Sequence, residues 1–137
     1  MTAIFIDTSA FIALYLKSDE FHSQAVSFLT ALPEDASFVT SNFVLDEVYT
    51  FLRATKGKEV AVAFAEFLAQ NAETVKINRV TLEDEKAAFR FFGRLDFSQL
   101  SFTDCVSFAQ MERLSLKEVF TFDKHFAKAG FKVLPLI

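Results

Sequence analysis

At 137 residues, 52% of them hydrophobic and 19 of them Phe, the chain reads as one domain over residues 1–137 with too much apolar material for extended disorder. No run approaches ~18 uninterrupted apolar residues, which excludes a membrane-spanning helix, and a single cysteine, Cys105, excludes an internal disulfide framework or a multi-cysteine zinc site. The net charge of −4 argues against nucleic-acid binding over the whole surface but leaves room for a local basic rim, and cytoplasmic residence is the default.

Ala3 to Ile6 reads as a short buried strand, with no basic leader before it that would suggest a signal peptide. A helix over Thr8–Leu16 follows, then a second helix to about Leu32 with Asp19 as its N-cap. A strand at Ser37–Thr40 leads to a helix capped by Ser41 that runs to about Thr55. Lys56-Gly57-Lys58 is a turn, Glu59 to about Asn71 a helix, and Thr74–Val80 a strand. Thr81 caps a helix to about Leu95, a loop covers Asp96–Leu100, and Ser101 opens a helix to Leu114. A strand over Glu118–Phe122, a short helix over Asp123–Ala129 and a last strand over Phe131–Leu134 complete the order. Short continuous apolar strands alternating with helices predict an α/β fold, a three-layer α/β/α sandwich around a mostly parallel sheet.

Four acidic residues stand out against this frame. Asp7 follows Ile4-Phe5-Ile6, and Asp123 follows Val119-Phe120-Thr121-Phe122, so both stand at strand ends where α/β sheets bind ligands. Each also fits a helix N-cap. Asp104 lies three residues after Ser101, as in a capping box, and heads an apolar stripe with Phe108 and Met111. Glu47 is too deep in its helix to cap it. On a helical wheel it falls inside the apolar face of Phe43, Val44, Leu45, Val48, Phe51 and Leu52, whereas Asp46 joins the polar face with Asn42, Tyr49 and Arg53. Carboxylates converging on one pocket repel each other, and a divalent cation is the simplest way to hold them.

The segments Phe5-Ile-Asp7-Thr-Ser9, Thr40-Ser-Asn-Phe-Val-Leu-Asp-Glu47, Leu100-Ser-Phe-Thr-Asp104 and Phe120-Thr-Phe-Asp123-Lys-His-Phe126 resemble the successive signatures of a PIN domain, and the whole chain is similar to the VapC-type toxins of prokaryotic toxin–antitoxin pairs. The resemblance implies a metal-dependent ribonuclease in which Asp7, Glu47, Asp104 and Asp123 bind Mg2+ or Mn2+. Asp7 and Asp104 would be direct ligands, Asp123 a ligand directly or through water, and Glu47 a ligand through water or a group that orients it. A metal-activated water would attack phosphorus in line, giving a 5′ phosphate and a 3′ hydroxyl. Ser9 would hydrogen-bond within the site, or cap its helix, and Thr103 and Thr121 have a weaker claim to a supporting role. RNA is the implied substrate, with an antitoxin protein and a second copy of the chain as implied partners. The apolar second and fourth helices offer surface for a homodimer.

Arg53, Lys56 and Lys58, together with Lys124, are the candidate RNA contacts, against the plainer reading of solvated helix ends. His125 reads as a surface residue of the last short helix, the Phe residues read as core, and Cys105 as a small buried hydrophobe. A haloacid-dehalogenase-type phosphatase needs a second Asp two residues after the first, where this chain has Ser9, and a receiver domain needs an early acidic pair at a strand end, where Asp19 and Glu20 do not fall. An RNA-processing nuclease without an antitoxin and a non-catalytic binding module are the remaining alternatives.

Overall fold

The computed structural model describes residues 3–136. Its elements run β1 (Ile4–Ile6), α1 (Thr8–Tyr15), α2 (His22–Ala31), β2 (Phe38–Ser41), α3 (Asn42–Lys56), α4 (Lys58–Gln70), β3 (Val75–Asn78), α5 (Leu82–Arg94), α6 (Phe102–Arg113), β4 (Glu118–Phe120), α7 (His125–Lys128) and β5 (Lys132–Leu134). The five strands form one sheet in the order β3-β2-β1-β4-β5. Every pairing is parallel, so each connection crosses over through helices, in pairs for the first three connections and through α7 alone for the last. Helices flank the sheet, as the alternation of elements predicts. No described helix is long and apolar enough to cross a membrane.

Burial follows from position in this order. β1 is central and all three of its residues are buried, because a parallel strand is covered on both faces. The edge strands β3 and β5 carry Lys76 and Lys132 exposed, which blunts their open sides. The core joins Phe5 and Phe120 of the sheet to Val44, Val48 and Leu52 of α3, Phe64 of α4 and Phe108 of α6. Within it Phe108 meets Phe126 edge-on, at 5.1 Å and 85°.

Local signals set most of the helix starts. The Ser41 hydroxyl accepts from the Val44 N–H at 3.1 Å at the head of α3, and α5 and α6 both begin with complete capping boxes, Thr81 with Asp84 and Ser101 with Asp104. α3 ends and α4 begins at Gly57, whose φ of 102° favours glycine. Expectations change in three places, the first being β3, which spans Val75–Asn78 rather than Thr74–Val80. Asp19 does not cap α2, whose N-cap position is Phe21; Asp19 accepts instead from the Phe21 N–H at 2.9 Å and closes the turn before the helix. β4 and α7 are shorter than predicted because residues 121–124 are used in the loop between them.

Not every Phe is core. Phe51, Phe67, Phe89 and Phe92 are exposed, the last two beside Phe102 on the outer face of α5 and α6. α5 is held to α6 by a polar lock that the sequence pattern does not mark. Asp84 is buried and accepts twice from the Arg113 guanidinium, at 2.7 and 2.9 Å, and again from the N–H of Thr81 at 3.0 Å. Asp84→Ala removes both the cap and the charge-assisted pair and is expected to cost ~3 kcal/mol. A urea denaturation showing less than ~1 kcal/mol of loss would contradict a structural role for the lock.

Candidate active site

The site lies where the strand order reverses. β1 has β2 on one side and β4 on the other, and the chain leaves β1 and β4 at the same edge of the sheet. Asp7 is the residue after β1, and its N–H donates to the Phe120 carbonyl at 3.1 Å, which stitches the two strand ends together. It occupies the N-cap position of α1 without any side-chain cap bond. Its carboxylate turns instead toward β4: Oδ2 accepts from the Thr121 hydroxyl at 2.8 Å and the Ser9 hydroxyl at 3.2 Å. Those hydroxyls are fixed in turn, Ser9 accepting from the Phe122 N–H at 2.9 Å and Thr121 from the Asp123 N–H at 3.0 Å.

Asp104, buried in the first turn of α6, spends Oδ2 on the Ser101 N–H at 3.2 Å, where the partial positive charge of the helix start also favours it. Asp123 sits half-buried in the loop after β4 and turns Oδ1 to the His125 N–H at 2.8 Å. Glu47 is half-buried on α3 and holds its Oε1 against the Thr8 hydroxyl at 2.8 Å; its neighbour Asp46 is exposed. The broad face predicted around Glu47 is narrower at its end, since Phe51 is 42% exposed.

Electrostatics bind the four together. Burial and the charge of Asp104 push the Asp7 carboxyl up to about 7, against the hydrogen bonds of Thr121 and Thr8, and Asp123 adds to the rise. Burial raises Asp104 as well, reinforced by the charge of Asp123 and opposed by Ser101 and His125. Glu47 is raised by burial and by Asp104, while the Thr8 and Thr103 hydroxyls oppose the rise. Asp104 therefore faces each of the other three carboxylates.

The sequence profile of the PIN domain matches residues 4–132. The chain belongs to the PIN domain family. Over 128 residues it is 34% identical to the 23S rRNA-specific endonuclease VapC20 of Mycobacterium tuberculosis, covering 93% of this chain and 95% of that protein. The crystal structure of VapC20, described as a sarcin–ricin loop cleaving toxin, superposes with a TM-score of 0.84 over the same shares of the two chains. The fold also matches FitAcB of Neisseria gonorrhoeae, with 16% identity, a TM-score of 0.72 and 95% of each chain covered. VapBC2 of Rickettsia felis, bound to a promoter DNA fragment, matches with 11% identity and a TM-score of 0.67, over 96% of this chain and 97% of that one.

Within this PIN domain one site residue departs from expectation. His125 is not on the surface; it is 6% exposed, because the short α7 turns it inward against the loop before α6. Its Nε2 donates to the Ser98 carbonyl at 2.8 Å, and Nδ1 faces Asp104 Oδ2 at 3.1 Å and Asp123 Oδ1 at 3.2 Å. With Nε2–H committed to a carbonyl, Nδ1 carries a second proton toward the two carboxylates or offers a lone pair to a cation. Burial lowers the imidazole pKa, but Ser98, Asp123 and Asp104 outweigh it and the net shift is upward. Among the described residues, Asp104, Asp123 and His125 form a group with one ligand atom each, all within 4.8 Å of one another. Cys105, fully buried beside Asp104, has its thiol pushed up to about 11 by burial and by that charge, so it is neither a thiolate ligand nor a nucleophile at neutral pH.

The basic candidates separate. α3 starts at the site edge of the sheet and runs away from it, which carries Lys56 about 13 Å along the helix from Glu47 at ~1.5 Å per residue. There Lys56 meets Ser18 beyond the far end of α1. Arg53 and Lys58 share that departure, whereas Lys124 stays next to Asp123.

The donor set suits a hard divalent cation: the carboxylates of Asp104 and Asp123 and the His125 imidazole lie within 4.8 Å of one another, and the charge of Asp104 acts on Asp7 and Glu47 beside them. The raised acids also fix a pH dependence. The native state keeps a proton on Asp7 that the unfolded chain loses above its ordinary 3.8, so this stabilisation is complete below that pH and vanishes as pH rises through about 7. Asp104, Glu47 and His125 shift in the same direction. The melting temperature of metal-free protein is expected to fall between pH 5 and pH 8, and Asp7→Asn to raise it at pH 8 by more than ~4 °C. A metal-free melting temperature that rises over this range would contradict the electrostatic account.

Proposed function

We propose that this PIN domain is a metal-dependent endoribonuclease, a hydrolase of phosphodiester bonds, and the toxin of a toxin–antitoxin pair. The observation that carries the reading is the gathering of Asp7, Glu47 and Asp104, all with raised proton affinities, around the strand-end crevice with Asp123 beside Asp104 and, among the described residues, His125 as the internal counter-group. The relative named as a 23S rRNA-specific endonuclease supports ribosomal RNA, and its sarcin–ricin loop, as the substrate class. That substrate class supports residence in the cytoplasm.

Asp7, Asp104 and Asp123 would hold the ion, and Glu47 would reach it through water. Mg2+ or Mn2+ held there would supply Lewis-acid charge for the phosphoryl oxygens and for an attacking water. Thr121 and Ser9 fix Asp7 Oδ2, Ser101 and His125 fix Asp104 Oδ2, and Thr8 fixes Glu47 Oε1, so the acids are aimed before RNA arrives. The Glu47 carboxylate, with its raised proton affinity, takes one proton of the attacking water as its oxygen bonds to phosphorus, the bond to the 3′ oxygen breaks, and that oxygen takes a proton from solvent, leaving a 5′ phosphate and a 3′ hydroxyl. His125 acts through Asp104 and Asp123, tying both to the Ser98 backbone.

Purified protein is expected to cleave ribosomal RNA with Mg2+ or Mn2+ and to stop when a chelator is added. Asp7→Asn and Asp104→Asn are expected to abolish cleavage with the fold retained, His125→Ala to lower it about 10–100-fold, and exposed Asp46→Asn to change little. Parental cleavage by both Asp7→Asn and Asp104→Asn would overturn the assignment; a chain that binds RNA without cutting it would be the binding module instead.

The partners follow from the same reading: a cognate antitoxin, by analogy with the toxin named in the relative's description, and a second copy of the chain. The apolar surface left exposed by Val26 and Leu29 on α2 and by Val62 and Phe67 on α4 supports a homodimer. Sedimentation velocity is expected to show a dimer that Val62→Asp with Phe67→Asp weakens; a parental monomer would remove this part of the proposal.

A further inference from the structure

Next to the acids the surface opens into a polar cavity of about 420 Å³, lined by Ser98 and Gln99 of the α5–α6 connection and by Phe122, Asp123, Lys124, His125 and Lys128. It shares Asp123, His125 and the Ser98 anchor with the acid cluster, while the side chains of Gln99, Phe122, Lys124 and Lys128 have no part in the steps derived above. Its volume lies in the ~300–1,000 Å³ range of small-molecule sites, larger than one ion requires.

The walls have three kinds of chemistry. Lys124 and Lys128 are exposed and, among the described residues, have no carboxylate at ion-pair distance. Lys128 Nζ rests 5.8 Å from the centre of the Phe97 ring, which keeps its stem against the protein and its charge at the rim. Phe122 supplies an aromatic wall, held by a face-to-face stack on Phe21 at 4.6 Å and 7°. Gln99 has a φ of 62°, a left-handed conformation uncommon for a side chain of its kind, and the strain falls at the cavity wall, where its amide offers both a donor and an acceptor.

A polyanion approaching four carboxylates needs positive charge close by. α3 carries Arg53 and Lys56 away from the crevice, whereas Lys124 and Lys128 border it. We propose that this cavity is the subsite for the nucleotide next to the scissile phosphate of a single-stranded RNA segment. Lys124 and Lys128 bind its backbone phosphate, Phe122 packs against the base, and the Gln99 amide reads the base edge. The inference rests on the ribonuclease reading and adds to it the direction in which the strand leaves the acids.

Binding is measured with a fluorescein-labelled single-stranded RNA dodecamer of mixed sequence, with Ca2+ replacing Mg2+ to suppress cleavage. Lys124→Glu with Lys128→Glu is expected to raise Kd about tenfold or more and to flatten its salt dependence. Lys76→Glu with Lys86→Glu, an equal charge change away from the cavity, is expected to stay within about twofold. A dodecamer carrying 4-thiouridine is expected to crosslink to the peptide containing Phe122–Lys128, and Gln99→Ala to alter the preferred base. Equal losses in both Lys pairs, or crosslinks that fall elsewhere, would overturn the subsite. Charge-selective binding and crosslinking without cleavage would uphold it while removing the nuclease reading; no RNA binding by the parent would remove both.

Discussion

The rest of the site depends on the repulsion that converges on Asp104. Its charge acts on Asp7 and Glu47, and the charge of Asp123 acts on it, in surroundings where burial already disfavours ionisation. The fold does not relieve this by spreading the acids apart. It fixes one oxygen of each with a local donor: Thr121 and Ser9 at Asp7, Ser101 at Asp104, Thr8 at Glu47, and the His125 N–H at Asp123. Those bonds lower the cost of each charge without cancelling the net negative field, which is the condition a divalent cation satisfies.

The topology makes that convergence possible with very short strands. β1 and β4 contribute three residues each, yet as neighbours at the sheet's reversal they deliver Asp7 and the Thr121–Asp123 loop to one crevice. The helix that opens after β2 adds Glu47 from the flank, and the capping box of α6 adds Asp104. Asp104 serves both as a helix signal and as the centre of the acid cluster. A charge needed at the site is thus stabilised by backbone N–H groups that require an acceptor anyway. The cap bond missing at Asp7 makes the complementary point: the side chain stands in the cap position and is drawn off toward β4 by Thr121.

This double use explains what could be read from the sequence. Strand ends, caps and the apolar stripe of α3 are local patterns, so the element order, the parallel sheet and the placement of the four candidate acids were legible. Burial at the end of α3 was not, because a helical wheel has no knowledge of where the covering layer stops, and Phe51 lies beyond it. His125 and the Asp84–Arg113 pair were missed for a related reason. The partners of Asp84 lie 29 residues away, and those of His125 lie 21 and 27 residues away. Nothing in a four-residue helix shows which way its first side chain turns. An inward histidine two residues after the Asp of the loop following β4 is visible only once β4 and α6 are packed together.

The same negative field constrains regulation as well as catalysis. Any cation that fits the crevice gains the energy otherwise lost to carboxylate repulsion, and a guanidinium fits carboxylate pairs with two parallel hydrogen bonds. A partner that inserts an arginine there competes for the position of the ion and blocks the approach of the scissile phosphate in one contact. A partner that covers only the lysines beside Asp123 would weaken RNA binding while leaving the acids charged and ready. On the proposed metal-dependent reading, inhibition through the acids opposes metal loading, inhibition through the lysines does not, and the two modes differ in whether added metal restores activity.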